Sequence, residues 1–170
     1  MAELDREHGP VPPQSLEWAA RIVDRWQAGR RAAGKLMLLL DSEALSALAR
    51  GPTARRDKVR ALVIQIRRRE ETIASVAAVL AEVVRGRSAD AAIFAGLRRE
   101  GVHVLPVDAR VGARAGQLLG RAGVGSELAV DAFTVAVADL EGGAVIATAD
   151  LDDMTRLASH ASNVEVADIR

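Results

Sequence analysis

Two acidic side chains directly follow apolar runs that are typical of buried strands. Asp41 ends the run in KLMLLLD, and Asp150 ends the run in IATAD. A chain that needed only a turn at these points would more commonly use Gly, Asn or Pro. Because the carboxyl ends of parallel strands meet at one edge of a sheet, the two acids would face the same crevice if their strands are neighbours.

Two further acids interrupt apolar helices. Glu82 lies in VAAVLAEVV, and Asp131 lies in LAVDAFTVAVADL, where Val130 and Ala132 flank it. Both helices are apolar enough to predict burial on more than one face, and this argues against a purely solvent-exposed role for the two carboxylates.

The four acids (Asp41, Glu82, Asp131 and Asp150) cannot all stay ionised side by side without a cation. At about 4 Å and an effective dielectric constant of about 20, two carboxylates repel by roughly 4 kcal/mol. Protonation, pairing with Arg, or a divalent metal ion would relieve this repulsion. Ligands that are all oxygen favour Mg²⁺ or Mn²⁺, and the three histidines (His8, His103 and His160) lack a zinc-like spacing with the acids.

The strand-end acids also have a purely structural interpretation as helix caps. Asp41 could cap the helix that follows it, although Ser42 competes for that role. Asp150 could cap a helix beginning near Asp152, and here the structural and functional interpretations are evenly balanced.

The helix-borne acids have structural alternatives too. Glu82 could pair with Arg85 or Arg87 at the surface. Asp131 could lie on the exposed face of a helix whose other face is buried. The joint occurrence of all four favours a functional site.

Apolar strands that alternate with helices predict the fold. The pattern indicates an α/β protein with three layers, α/β/α, around a central, mainly parallel sheet of about five strands. Ser75, Ser88, Asp108 and Ser126 are predicted to cap or open successive helices, and the long helix over 53–70 has one apolar face and a basic remainder.

The first 35 residues differ from the remainder and predict a separate segment. Residues 1–14 form a polar arm with three prolines, and Ser15 begins an amphipathic helix that carries Leu16, Ile22, Val23 and Trp26. We therefore divide the chain into residues 1–35, an arm and helix, and residues 36–170, the α/β domain.

Composition excludes several classes of function. The formal net charge is zero, so no field of the whole molecule attracts nucleic acid, and the absence of Cys excludes disulfides, thiolate metal sites and a cysteine nucleophile. Aromatic residues make up 2%, too few for base stacking to be the main mode of nucleic-acid binding. No run is long enough to span a membrane and the N-terminus is unlike a signal peptide, which predicts a cytoplasmic protein.

Three segments, LLLDSEALSALARG, TIASVAAVLAEVV and LAVDAFTVAVADLEGGAVIATADLDDMTRLA, together resemble a PIN domain. More narrowly, they resemble the ribonuclease toxins, called VapC, of bacterial VapBC toxin–antitoxin systems. The resemblance covers about residues 36–169. The family's acidic and supporting positions fall here on Asp41, Ser42, Glu82, Asp131, Thr148, Asp150 and Asp153.

The resemblance implies endonucleolytic cleavage of RNA with Mg²⁺ or Mn²⁺ as cofactor. Asp41, Glu82 and Asp131 would lie nearest the first ion, and Asp150 would orient water or hold a second ion. Ser42, Thr148 and Asp153 would support the site. The family also implies a homodimer and a cognate antitoxin, and no membrane partner.

Substrate binding would require cations beside the acids. The candidates are arginines of the predicted long helix and of the later helices, and each could equally belong to a solvated helix face: Arg55, Arg56, Arg60, Arg67, Arg68, Arg69, Arg85, Arg87, Arg98 and Arg99. The N-terminal segment loosely resembles an antitoxin tail, and as an intramolecular tail it would bring Arg30 or Arg31 toward the acids. An ordinary extension that packs elsewhere is an equal alternative.

Two other functions fit parts of the pattern. A PIN-like module that has lost catalysis could act as a binding partner, although the complete acid set argues against it. A receiver-type signalling domain would also place an Asp at a strand end, but it requires a Lys at a later strand end, and no Lys follows Lys58.

Overall fold

The chain folds as strands and helices in alternation around one sheet. The computed structural model describes residues 9–29, 36–49 and 53–170. The elements, in chain order, are α1 (Pro13–Gly29), β1 (Met37–Leu40), α2 (Ser42–Ala49), α3 (Thr53–Arg67), β2 (Thr72–Val76), α4 (Ala77–Val83), α5 (Asp90–Arg99), β3 (His103–Leu105), α6 (Ala109–Ala122), a 3-10 turn (Ser126–Leu128), α7 (Ala129–Leu140), β4 (Ala144–Thr148), α8 (Leu151–Ala158) and β5 (Val164–Asp168).

The strands form one parallel sheet in the order β3-β2-β1-β4-β5. Helices α1 and α3 pack against one face of the sheet, and α7 packs against the other with α6 and α8 beside it. The predicted three-layer α/β/α class is therefore confirmed. Every strand pairing in the described residues is parallel, as expected for strands linked by helical crossovers.

The register of the central strands positions the two strand-end acids. β1 and β4 are neighbours, Leu40 pairs with Ala147, and the Asp41 amide continues the ladder by donating to the Ala147 carbonyl at 3.3 Å. Both strands are almost entirely buried, which explains their continuous apolar sequence. The condition for Asp41 and Asp150 to face one crevice, that the strands before them are neighbours, is therefore met.

Helix α1 is part of the main core. Ile22, Val23 and Trp26 are buried in the same cluster of apolar side chains as the sheet, and α1 packs on α3 and β5. The Trp26 indole donates to the Asn163 carbonyl at 2.7 Å, just before β5 begins. The C-terminal half of α1 therefore lies at the edge where the strands start, opposite to the edge of the acids. Arg30 and Arg31 lie outside the described residues.

Of the caps predicted at Ser75, Ser88 and Asp108, only the one at Asp108 is confirmed. Asp108 caps α6 by accepting from the Val111 amide at 2.9 Å. Ser75 belongs to β2, and its hydroxyl donates to the Leu40 carbonyl at 2.7 Å instead of capping a helix. Ser88 precedes α5 without capping it, because the N-cap is Ala89, which makes no side-chain capping bond.

The helix after β2 is shorter than its sequence predicts. It ends at Val83, and the following loop turns at Gly86, whose φ is +68°. The buried Asp90 carboxylate accepts from the amides of Arg85 and Arg87 at 2.8 and 2.9 Å, so the acid fixes this loop.

In the part of the chain that the structure describes, every helix is too short or too polar to cross a lipid bilayer.

Candidate active site

Asp41 lies at the centre of the site and is almost completely buried, with 4% of its surface exposed. Its Oδ1 accepts from the Ala44 amide at 2.7 Å, so Asp41, and not Ser42, caps α2. The expectation that Ser42 competes for the cap is wrong. Burial raises the pKa of Asp41 to about 7, against the lowering effect of hydrogen bonds from Thr148 and the Ala44 amide. The charges of Asp131 and Glu43 raise the pKa further.

Thr148 connects Asp41 to Asp150. Its buried hydroxyl bonds to the Asp41 carboxylate and accepts from the Asp150 amide at 2.9 Å. Asp150 is exposed and caps α8, although the bond from the Asp153 amide to its Oδ1 is long, at 3.5 Å. The structural role anticipated for Asp150 is therefore present, and its carboxylate remains accessible to a ligand.

Asp131 stands in the first turn of α7, half-buried, and experiences the charges of the other acids. Burial raises its pKa to about 6, and the charges of Glu82, Asp150 and Asp153 add to this effect in that order. Asp131 is thus the residue whose environment links all the predicted acids, because its own charge also acts on Asp41.

Glu82 is on α4, but its surroundings differ from those predicted. The side chain is exposed, since α4 turns Ala77, Ala81 and Glu82 to solvent and buries Val79 and Val83. The prediction that this helix is buried on more than one face is wrong. Within the described residues Glu82 makes no ion pair, and Arg85 donates instead to backbone carbonyls. The exposed carboxylate faces Asp131 closely enough to raise its pKa.

The supporting positions have distinct surroundings. Ser42 is the first residue of α2 and is half-buried, and Asp153 lies half-buried in the first turn of α8. Glu43 had no assigned role in the sequence analysis. It pairs with Arg55 at 2.6 Å and adds negative charge next to Asp41.

The chemistry of these side chains fits a divalent cation. The donors are carboxylate and hydroxyl oxygens, which Mg²⁺ and Mn²⁺ prefer. Among the described residues, all the charges that shift the pKa of Asp41 or Asp131 are negative, so no Arg or Lys of this part of the chain compensates either acid. A cation from solution would relieve this repulsion.

The acids do not form a closed metal cage in the arrangement observed. Among the described residues, no group of three or more Asp, Glu or His side chains is placed so that it could hold an ion together. Glu82 and Asp150 are exposed and free of ion pairs with described residues, so their side chains have room to turn toward Asp41 and Asp131.

Most of the arginines predicted to bind substrate have structural partners instead. Four of them, three on α3 and one just after it, contact other segments of the chain: Arg55 pairs with Glu43, Arg60 donates to the Gly9 carbonyl, Arg67 pairs with Glu100, and Arg69 pairs with Asp24. The solvated-face interpretation is therefore wrong for these residues, because they attach α1, α2 and α5 to α3. Arg68, Arg87 and Arg98 are exposed.

One cation near the acids was not predicted. Arg170 follows β5 and forms a bidentate pair with Asp168 at 3.0 and 3.1 Å. This hydrogen bonding, and the more distant charges of Asp152 and Asp150, raise the pKa of Arg170. Sequence spacing alone carried no signal for the position of Arg170 near Asp150, because this position depends on β5 lying next to β4.

Comparison with known proteins agrees with this architecture. The family model described as PIN domain matches residues 38–159, a range that includes all four acids. The chain has no match among the curated proteins. Because the family match covers most of the chain, this chain belongs to the PIN domain family, whose members are generally nucleases that use divalent metal ions.

Proposed function

We propose that this protein is a divalent-metal-dependent endoribonuclease of the toxin–antitoxin type, which hydrolyses RNA phosphodiester bonds at the four acids. The observation that carries the proposal is the state of Asp41. Its carboxylate is buried, its pKa is raised to about 7, and the charges that act on it are those of other acids. Strongly shifted pKa values of this origin are characteristic of functional sites.

Each residue has a role in the proposal. Asp41, Asp131 and Glu82 would hold Mg²⁺ or Mn²⁺, and Asp150 would orient the attacking water or hold a second ion. A bound divalent ion supplies Lewis-acid activation of water and charge neutralisation at the phosphate. Thr148 holds the Asp41 carboxylate in place through its hydroxyl, and Ser42 and Asp153 support the two helix starts that carry Asp41 and Asp150.

Cleavage of labelled RNA by the purified protein tests this proposal. Transfer RNA and messenger RNA are incubated with and without Mn²⁺, and cleavage is expected only with the ion. Asp41→Asn and Asp131→Asn should each reduce the rate by at least about 100-fold, the upper end of the loss seen when a metal-site support is removed. Asn also caps helices well, so Asp41→Asn keeps the bond from the Ala44 amide.

Asp108→Asn is the matched control. This substitution makes the same chemical change at the N-cap of α6, at a carboxylate whose charge is not among those that shift the pKa of Asp41 or Asp131, and it should leave cleavage unchanged. Full activity of folded Asp41→Asn or Asp131→Asn would refute the assignment. A wild-type protein that binds Mn²⁺ and RNA without cleaving would instead indicate the catalytically silent binding module.

The narrower assignment to VapC-like toxins is supported by the order of the motifs around Asp41, Glu82, Asp131 and Asp150. It predicts a homodimer, growth arrest on expression in bacteria, and relief of that arrest by an antitoxin or by Asp41→Asn. Growth arrest that persists in the Asp41→Asn strain at equal protein level would contradict a toxin that acts by RNA cleavage.

A further inference from the structure

We infer that the groove between the starts of α1 and α3 binds a nucleotide of the RNA strand next to the cleaved bond, with Trp18 as the stacking surface for its base. The inference rests on the proposed ribonuclease function and adds a substrate-binding site to it. The groove, called here the Trp18 groove, is lined mainly by Pro12, Gln14, Ser15, Trp18, Asp57 and Lys58.

The size and lining of the Trp18 groove suit a nucleotide. Its volume is about 500 Å³, within the usual range for small-molecule sites. The Trp18 ring is half-buried, so part of it remains accessible, and Lys58 Nζ lies over the ring, 5.5 Å from its centroid. An aromatic ring beside a cation is the usual combination for single-stranded nucleic acid, because the ring stacks on a base and the cation binds phosphate.

The groove lies at the same edge of the sheet as the four acids. Lys58 donates to the backbone carbonyls of Asp168 and Arg170, at the carboxyl end of β5. Asp168 pairs in register with Thr148, whose hydroxyl contacts Asp41. Adjacent strands are about 4.8 Å apart, so β5 lies roughly 10 Å from β1, a short path for an RNA strand.

The charges of Lys58 and Arg170 support the same path. Both hydrogen-bond partners of Lys58 are main-chain oxygens, and within the described residues no side-chain carboxylate forms a salt bridge with it. Its charge acts on the nearby Asp168 carboxylate and would also act on a phosphate bound beside it. Arg170 lies between the groove and Asp150 and experiences the charges of Asp150 and Asp152. These two cations border the acids on the β5 side.

Asp57 is the one lining residue that would repel a phosphate. It is half-buried and follows the first turn of α3. A carboxylate accepts hydrogen bonds from exocyclic amino groups of bases, as in recognition of cytosine. We therefore place the base, and not the phosphate, against Asp57 and Trp18, and the phosphate against Lys58.

Tryptophan fluorescence gives a direct test, because the chain has two tryptophans in contrasting settings. Trp26 is buried with its indole bonded to Asn163, whereas Trp18 is half-exposed in the groove. Asp41→Asn protein is titrated with a short single-stranded RNA, and binding is measured in parallel by anisotropy of a labelled strand. RNA should quench the emission of this protein, the quench should persist with Trp26→Phe, and it should vanish with Trp18→Phe.

Affinity and salt dependence separate stacking from charge. Trp18→Leu keeps an apolar side chain for packing and should weaken RNA binding by about 10-fold, within the range for loss of one stacked base. Lys58→Gln should lower the slope of log affinity against log salt by roughly 0.7, the value for one phosphate contact on a single strand. Thermal melting of each variant shows that the fold is retained.

The outcomes distinguish this inference from the proposed function. Unchanged RNA affinity of folded Trp18→Leu, or equal quenching by inorganic polyphosphate, would overturn the inference and leave the ribonuclease proposal intact. RNA-dependent quenching of Trp18 in a wild-type protein that does not cleave RNA would support the groove and refute the ribonuclease.

Discussion

Two buried carboxylates, Glu100 and Asp41, have opposite surroundings. Glu100 at the end of α5 is 2% exposed, and its carboxylate pairs with Arg67 at 3.1 Å and with Arg99 at 3.1 Å. Asp41 is 4% exposed, and its neighbours are a hydroxyl, a backbone amide and further acids. Glu100 is compensated by the chain's own cations, and within the part of the chain that the structure describes Asp41 is not.

The difference separates a structural carboxylate from one suited to a ligand. A buried charge with good partners is tolerated and helps to fix α5 against α3, whereas a buried charge without partners is protonated or recruits a cation. The predictions below test whether Asp41 behaves as the second kind and Glu100 as the first.

The pH dependence of stability should reveal the uncompensated Asp41. An unfolded Asp has a pKa of about 3.9, and burial raises the pKa of folded Asp41 to about 7. Between these values the folded state holds a proton that the unfolded state has lost, so the free energy of unfolding falls as pH rises from 4 to 7. Three pH units at about 1.36 kcal/mol each give an effect of roughly 4 kcal/mol. The raised pKa of Asp131 also makes the free energy of unfolding fall as pH rises, over a narrower pH range that ends at about 6.

Urea unfolding in EDTA at several pH values measures this effect. Asp41→Asn removes the titrating group and keeps the cap, so its stability should change much less between pH 5 and pH 8 than that of the wild type. Equal pH dependence of the two proteins would contradict the uncompensated state of Asp41.

Binding of Mn²⁺ should stabilise the protein, and more strongly at high pH. At pH 8 Asp41 and Asp131 are ionised and repel each other, whereas at pH 5.5 protons compete with the ion. At an ion concentration 100 times the dissociation constant the stabilisation is about 2.7 kcal/mol, visible as a rise of several degrees in melting temperature. The rise should be small in Asp41→Asn, and a rise of equal size in that variant would place the ion elsewhere.

Glu100→Gln should have the smallest effect and the opposite profile to Asp41→Asn. It removes two charge-assisted hydrogen bonds from partly exposed arginines, which should cost about 2 kcal/mol of stability. RNA cleavage should stay at the wild-type level under conditions where the variant is folded. Loss of cleavage by the folded variant would show that the two acids are not separable in this way.

Periodicity and strand-end chemistry were sufficient to predict the layers and the edge that carries Asp41 and Asp150. The layers and this edge follow from local sequence, because buried parallel strands are continuously apolar and their carboxyl ends lie at one edge of the sheet. The cap at Asp108 was predictable for the same reason, since its partner is three residues away.

The predictions that were wrong depend on partners far along the chain. Ser75 is a reasonable cap by sequence, but the Leu40 carbonyl on the neighbouring strand takes its hydroxyl. From the sequence alone, the arginines of the α3 segment are typical of a solvated helix face. In the structure their partners come from α1, α2 and α5, which lie elsewhere in the chain. Glu82 is exposed because α4 packs through Val79 and Val83, and the sequence alone does not show which face of this apolar helix meets the core.

The N-terminal helix illustrates the same dependence. Its apolar residues predicted that the helix packs on the domain, but they did not predict which surface of the domain it covers. The structure places Trp26 in the main core beside β5. Deletion of residues 1–34 would therefore expose core side chains and destabilise the domain, so it cannot be used alone to test inhibition by this segment. Whether Arg30 or Arg31 approaches the acids stays a prediction.

The titration of the Asp41 carboxyl group shows whether this buried acid lacks a compensating cation. The carboxyl ¹³C resonance of Asp41, assigned with Asp41→Asn, is followed by NMR between pH 3 and 9 with and without Mg²⁺. We predict a pKa of about 7 without the ion and a clearly lower pKa with it. A pKa near the ordinary value of about 3.9 without the ion, unchanged by Mg²⁺, would show that Asp41 is neither uncompensated nor a ligand of the ion.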